Sequence, residues 1–229
     1  MYYNEPAAVL ASLLVTLTQR EGGLGYPVGT QYRTGIPGAK AFFCNSGTEA
    51  NEGALKVARK VGKDRGGATK TEIVCFEQSF HGRSFGSLSV TSNSKYQDPF
   101  SPLVPGVRVG QLNRYDDLED LITENTCAVI VEPIQGEGGV NSADVDWMRK
   151  LVRRAQETGA VTIFDEIQVS AELGKQRTPQ RSCLTVLLGS ETCPIRGRGN
   201  CVADKICIVW LLQNRNHVGT LPVAGGMSP

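Results

Sequence analysis

The sequence has 229 residues, 40% of them hydrophobic, which is long enough for one full-sized domain or a large piece of a bigger one. Its 24 basic and 23 acidic side chains leave a formal charge of +1, which gives no long-range attraction to nucleic acid or to an anionic membrane. No apolar run approaches the roughly 20 residues needed to span a bilayer; Val9 to Leu17 is too short and is interrupted by Ser12 and Thr16, so the chain reads as soluble.

In chain order, Met1-Tyr2-Tyr3-Asn4-Glu5-Pro6 has neither a basic apolar signal nor an Arg- and Ser-rich transit pattern, so any targeting segment is expected outside this sequence. Pro6 to Gln19 is helical by period, Lys40 to Phe43 reads as a short strand, and Gly47 to Val61 as a second helix with the stripe Ala50, Ala54, Leu55, Ala58 and Val61. Ile73 to Phe76, Val107 to Val109, Ala128 to Val131 and Val161 to Phe164 read as strands, with helices over Asp116 to Thr123 and Ala143 to Glu157. Such alternation predicts an α/β domain with a mostly parallel sheet flanked by helices.

After Gln168 the texture changes. Val169 to Pro229 holds four of the seven cysteines, with 7 basic and 3 acidic residues, and is expected to form a separate tail. Within it, Cys183 to Leu188 and Ile206 to Leu212 have the composition of strands. An odd number of irregularly spaced cysteines, with only His81 and His217 to accompany them, makes no zinc pattern, so reduced thiols in an intracellular compartment are the expectation.

Two features carry chemistry. Asn45-Ser46-Gly47-Thr48-Glu49-Ala50-Asn51 stands between a strand and a helix, and Ser46 with Glu49 matches a capping box. Unpaired N–H groups at a helix start favour an anion, and Gly47 permits close approach, so either a phosphate or an ordinary cap fits. The apolar run Ala160 to Phe164 ends in Asp165-Glu166, which puts a carboxylate at the sheet's carboxyl edge, where open α/β folds bind ligands. A protonated pyridine nitrogen would partner Asp165; a solvated strand end is the plain alternative.

Read together, Asn45 to Glu52, Phe80-His81-Gly82-Arg83, Glu132-Pro133-Ile134-Gln135-Gly136-Glu137-Gly138-Gly139 and Asp165-Glu166-Ile167-Gln168 stand in the order found in the class-III aminotransferases. The chain resembles that family over nearly all of Met1 to Gln168, and Tyr2 to Pro6 is similar to its acetylornithine branch. The resemblance implies the large domain of a fold-type I transferase, incomplete here, with pyridoxal 5'-phosphate as cofactor. It implies that Gly47 and Thr48 hold the phosphate, Phe80 stacks on the ring, Asp165 pairs with the ring nitrogen and Gln168 contacts the ring hydroxyl. Arg83 would bind a substrate carboxylate, and Glu137 would help distinguish amino donor from acceptor acid. The implied activity is transamination of N-acetylornithine with 2-oxoglutarate in arginine biosynthesis, by a homodimer, in the mitochondrial matrix if the source is eukaryotic and otherwise in the cytoplasm.

The family's Schiff-base lysine has no match in the sequence. Lys175 and Lys205 in the tail sit in unlike surroundings, so the chain as written is expected to be inactive, with the tail arising from a truncated or misread transcript and the fragment weakly soluble. A non-catalytic cofactor-binding or interface role is one alternative. Another is a serine hydrolase, since Gly82-Arg83-Ser84-Phe85-Gly86 matches a nucleophile elbow with Asp165 and His217 downstream. His81 is expected to be a structural histidine and is assigned no chemistry.

Overall fold

The computed structural model describes residues 4–20, 40–166, 183–188 and 207–211. Helix α1 (Glu5–Arg20) precedes strand β1 (Lys40–Cys44) and helix α2 (Gly47–Gly66). Strand β2 (Glu72–Phe76) leads to two short helices, α3 (Phe85–Ser89) and α4 (Ser94–Gln97), and then to β3 (Val107–Gly110) and the single-turn α5 (Leu118–Leu121). Strand β4 (Thr126–Val131) is followed by a small hairpin of β5 (Ile134–Gln135) and β6 (Asn141–Ser142). Helix α6 (Val145–Thr158) then returns to β7 (Val161–Asp165), with β8 (Cys183–Leu188) and β9 (Cys207–Leu211) beyond it.

Seven strands make one sheet in the order β1-β9-β8-β7-β4-β2-β3. β3, β2, β4, β7 and β8 are mutually parallel, and β9 runs antiparallel to both of its neighbours. The mostly parallel α/β sheet expected from the sequence is therefore present. Both runs in the tail with strand composition form strands, and both lie in this same sheet.

Two hydrophobic clusters follow from the two-residue alternation of the strands. Ile73, Cys75, Ala128, Ile130 and Ile163 face α2, against Ala50, Ala54, Leu55 and Ala58. Val74, Phe76, Val129 and Val131 face the other way, against Leu118 and Leu121 of α5 and Trp147, Leu151, Val152 and Ala155 of α6. Covered on both faces, β4 is buried along its length and apolar from Cys127 to Val131 rather than alternating. Of the α2 stripe, Val61 is only partly buried; the helical period instead brings Gly62 inward.

Helix ends are set by local chemistry. The Asp144 side chain accepts from the amides of Asp146 and Trp147 to begin α6, and Gly159, with φ of 72°, ends it in the left-handed conformation that glycine adopts without strain. The helix expected over Asp116 to Thr123 shrinks to the one turn of α5, because Ile122 is extended and directs its side chain into the core. At the opposite edge of the sheet from the carboxyl ends, the buried Lys70 ammonium donates to the carbonyls of Glu124 (2.9 Å) and Thr158 (2.6 Å). It thereby ties the start of β4 to the end of α6, at the negative end of that helix's dipole.

Two glycines of α2 should respond oppositely to alanine. At Gly62 a Cβ would lie 2.5 Å from Cys127 Cβ and 2.7 Å from the Lys70 carbonyl, so Gly62→Ala should cost about 1–3 kcal/mol by overpacking. At Gly53 the nearest atom would be 3.5 Å away on the Phe42 ring, so Gly53→Ala should stabilise by about 0.5–1 kcal/mol. Urea unfolding of the two variants beside the parent chain checks both signs.

Candidate active site

The first two turns of α2 organise the carboxyl edge of the sheet. Ser46, extended at φ −154°, caps the helix by accepting from the Glu49 amide at 3.4 Å. The Glu49 carboxylate accepts from the Asn45 amide at 2.6 Å rather than from the Ser46 amide, so the capping box is displaced by one residue. Gly47 and Thr48 supply the first amides of the helix, and neither donates to an acceptor among the described residues.

Thr48, Asn51 and Glu52 recur at helical spacing on one side of α2, and all three grip the segment from His81 to Ser87. Thr48 Oγ1 lies 2.9 Å from Ser84 Oγ. A Cβ at Gly82, whose φ is +128°, would overlap Thr48 Oγ1, so only glycine allows this approach. Glu52 Oε1 accepts from Ser84 Oγ (2.6 Å) and from the amides of Gly86 (2.8 Å) and Ser87 (3.1 Å), capping α3 from outside. Asn51 Nδ2 donates to the His81 carbonyl and to Asp165 Oδ2, both at 2.8 Å.

Asp165 ends β7 and is buried. Its Oδ2 also meets His81 Nδ1 at 2.8 Å, in a pair shielded from solvent. The tautomer with its proton on Nδ1 makes this contact a hydrogen bond to the carboxylate. Among the described residues, His81 Nε2 and Asn51 Oδ1 are buried without a partner, beside this carboxylate.

Nearby, the Phe80 amide donates to Glu132 Oε1 at 2.8 Å. Burial pushes the Glu132 carboxyl above its ordinary range. Burial first, and the adjacent Asp165 charge second, push Glu166 up to about 7. Arg83 is exposed, with its guanidinium carbon 3.8 Å from the Tyr96 ring centre and 5.7 Å from that of Phe80. Glu137 is exposed in the β5–β6 turn, where Gly138 packs on the Gln78 backbone with no room for a side chain. Beside that turn is a polar cleft of about 300 Å³ lined by carboxamides, among them Gln78, Gln111, Asn113, Gln135 and Asn141.

Thr48 and Asp165, far apart in sequence, thus belong to one site: the helix that presents Thr48 touches Asp165 one turn later, about 4.5 Å further along its axis. Gly47, Phe80 and Arg83 adjoin the same helix start and loop. Gln168 lies outside the described residues, as do Lys175, Lys205 and His217. Ser84 sits at the start of α3 with its hydroxyl bonded to Glu52. A nucleophile elbow needs a strand running into its first glycine, whereas β2 ends at Phe76 and Gly82 lies in an irregular stretch. The histidine beside Asp165 is His81. Sequence reading missed Asn51, Glu52, Glu132 and Tyr96, and gave His81 no role, although all but Tyr96 lie inside or against the quoted motifs.

The model of the class-III aminotransferases (Aminotransferase class-III) matches residues 27–175, well over half of the chain. The chain belongs to the class-III aminotransferases. It is 49% identical over 170 residues to the mitochondrial acetylornithine aminotransferase of Neurospora crassa, which covers 73% of this chain and 34% of that protein. Against the Yarrowia lipolytica protein of the same description the identity is 52% over 169 residues, covering 73% and 38%. The chain therefore spans about a third of the length of these relatives. Among solved structures, it shares the fold of an ornithine aminotransferase from Toxoplasma gondii with PLP at partial occupancy in its active site. That likeness has a TM-score of 0.66 at 20% identity and covers 93% of this chain and 45% of that one. Pyridoxal phosphate is the cofactor of the family. No helix among the described residues is long and apolar enough to cross a membrane.

The raised acid beside Asp165 sets a pH dependence. Because folding raises the Glu166 carboxyl from 4.5 to about 7, the folded state holds its proton more tightly than the unfolded chain does. Stability contributed by that proton is present at low pH and lost as pH rises from about 4.5 through about 7. Glu166→Gln should therefore raise the melting temperature more at pH 8 than at pH 5; equal gains at both would show that Glu166 titrates normally.

Proposed function

We propose that this chain forms the pyridoxal-phosphate-binding part of an aminotransferase acting on N-acetylornithine and 2-oxoglutarate. The supporting observation is the Asn51 side chain, which joins the anion-favouring start of α2 to the buried Asp165 carboxylate. The residues suit the group: a helix start with two uncommitted amides for a phosphate, Gly82 packed tightly on Thr48, and a buried acid with orphaned polar atoms beside it.

In this reading Gly47 and Thr48 hold the phosphate through backbone amides and the threonine hydroxyl, aided by the helix dipole. Phe80 packs against the ring. Asp165, oriented by its contacts with His81 and Asn51, holds a proton on the ring nitrogen. When bound, the cofactor supplies an aldehyde for the amino group and a ring that takes up the electrons released at the substrate carbon. Gln168 meets the ring hydroxyl, Arg83 binds a substrate carboxylate, and Glu137 assists discrimination between donor and acceptor. The whole protein acts as a homodimer in the biosynthesis of arginine, in the mitochondrial matrix if eukaryotic, the fungal relatives being described as mitochondrial, and otherwise in the cytoplasm.

Neither Lys175 nor Lys205 is assigned the role of joining the cofactor, which favours binding without turnover in the chain as given. The absorbance spectrum separates the two cases: a visible band abolished by borohydride reports a lysine joined to the cofactor, and binding without such a band reports a non-catalytic holder.

The binding itself is tested by intrinsic-fluorescence titration with pyridoxal phosphate and with pyridoxal, which lacks the phosphate. Thr48→Ala should weaken pyridoxal phosphate about 10-fold or more, the loss of one hydrogen bond to a charged group, and leave pyridoxal unchanged. Asp165→Ala should weaken both. Equal pyridoxal phosphate affinity in all three chains would overturn the assignment.

A further inference from the structure

We propose that Tyr96 is a positioning residue for Arg83, holding the guanidinium by its ring face so that all of its N–H donors stay available to a ligand carboxylate. The inference rests on the reading of Arg83 as the carboxylate-binding residue and extends it to a residue that reading does not include.

Most arginines among the described residues donate to the protein itself. Arg59 donates to the Pro105 carbonyl, Arg108 to the Asp120 carbonyl, Arg149 to Asp146 and Arg154 to the carbonyls of Ile122 and Glu119. Among the described residues, no oxygen accepts from Arg83. It is nonetheless held: its guanidinium carbon lies 3.8 Å from the Tyr96 ring centre. Phe80 meets Tyr96 edge to face, with centres 6.1 Å apart and planes at 83°, so the two rings form a corner around the arginine. A stacked cation is attracted by the ring's quadrupole and keeps its hydrogen bonds free, whereas an ion pair would consume them. A guanidinium held by ring contacts keeps its fork of donors for paired bonds to a carboxylate.

Tyr96 has a rigid seat. It lies in α4, which Asn93 caps by accepting from the Lys95 amide, and the Tyr96 amide donates to the Asn93 carbonyl at 2.9 Å. Gln97 Nε2 donates to the carbonyls of Leu88 (3.0 Å) and Ser89 (3.3 Å), bolting α4 to the end of α3. The start of α3 is fixed to α2 through Glu52. Thus α2 fixes the backbone on both sides of Arg83, through Thr48 at Gly82 and Ser84, and by way of α3 and α4 it also fixes the ring under the side chain.

The test is calorimetric titration of the full chain with glutarate, an unreactive dicarboxylate. The expected result is binding by the parent, loss of binding in Arg83→Ala, ~3- to 10-fold weaker binding in Tyr96→Leu, and affinity within about 2-fold of the parent in Tyr96→Phe and Tyr96→Trp. Parent-like affinity in Tyr96→Leu with loss in Arg83→Ala would overturn the role of Tyr96 and leave that of Arg83 standing. Equal weakening in Tyr96→Leu and Tyr96→Phe would also overturn it, since the aromatic face would not be what matters. No binding by the parent, or none lost in Arg83→Ala, would remove the Arg83 reading and this inference with it. A readout in the unaltered chain covers the case in which Tyr96→Leu does not fold: the Arg83 Hδ and Hε resonances should show an upfield ring-current shift relative to free arginine. Unshifted resonances would overturn the stack.

Discussion

The site depends on one side chain between a helix and a sheet. Asn51 has a single NH2 group, and it spends both hydrogens across the gap between α2 and the sheet, one on the His81 carbonyl and one on the Asp165 carboxylate. Because Thr48 and Glu52 lie on the same side of α2, fixing Asn51 also fixes how the helix start meets the loop from His81 to Ser87. Each contact is modest alone, but together they allow one placement of α2, since any rotation would break several at once. Gly82 makes the placement possible by bringing its backbone against Thr48, where no side chain would fit.

This arrangement concentrates acids where burial disfavours their charge. Asp165, Glu132 and Glu166 cluster at or near the carboxyl edge, and both glutamates have their protonated forms favoured by burial. A fold selected for stability alone would place apolar residues there. Asp165 meets His81 and Asn51 on one oxygen, whereas Glu132 accepts from the Phe80 amide.

The strands of the seven-stranded sheet and the long helices were legible because each carries its own period or apolar run. β4 could be read from a continuous apolar run, and α6 from its stripe together with Asp144 and Gly159 at its ends. The shorter elements had no such signal. α3 spans five residues, and its start is capped by Glu52, which is remote in sequence; α5 stops where Ile122 is drawn into the core. In both cases the limit of the helix is a tertiary contact, and no local pattern encodes it.

The sequence by itself determined the family, the alternation of strands and helices, and the residues most open to chemistry, Thr48 at a helix start and Asp165 at a strand end. Those are local properties: capping, period and motif order are written within a few residues of each other. Only the tertiary structure decided that the two belong to one site, that His81 and Asn51 share the Asp165 carboxylate, and that Arg83 rests on Tyr96. Hydrogen bonds and ring contacts between residues tens of positions apart depend on sheet order and helix rotation, which arise from packing the whole core and leave no spacing rule in the chain.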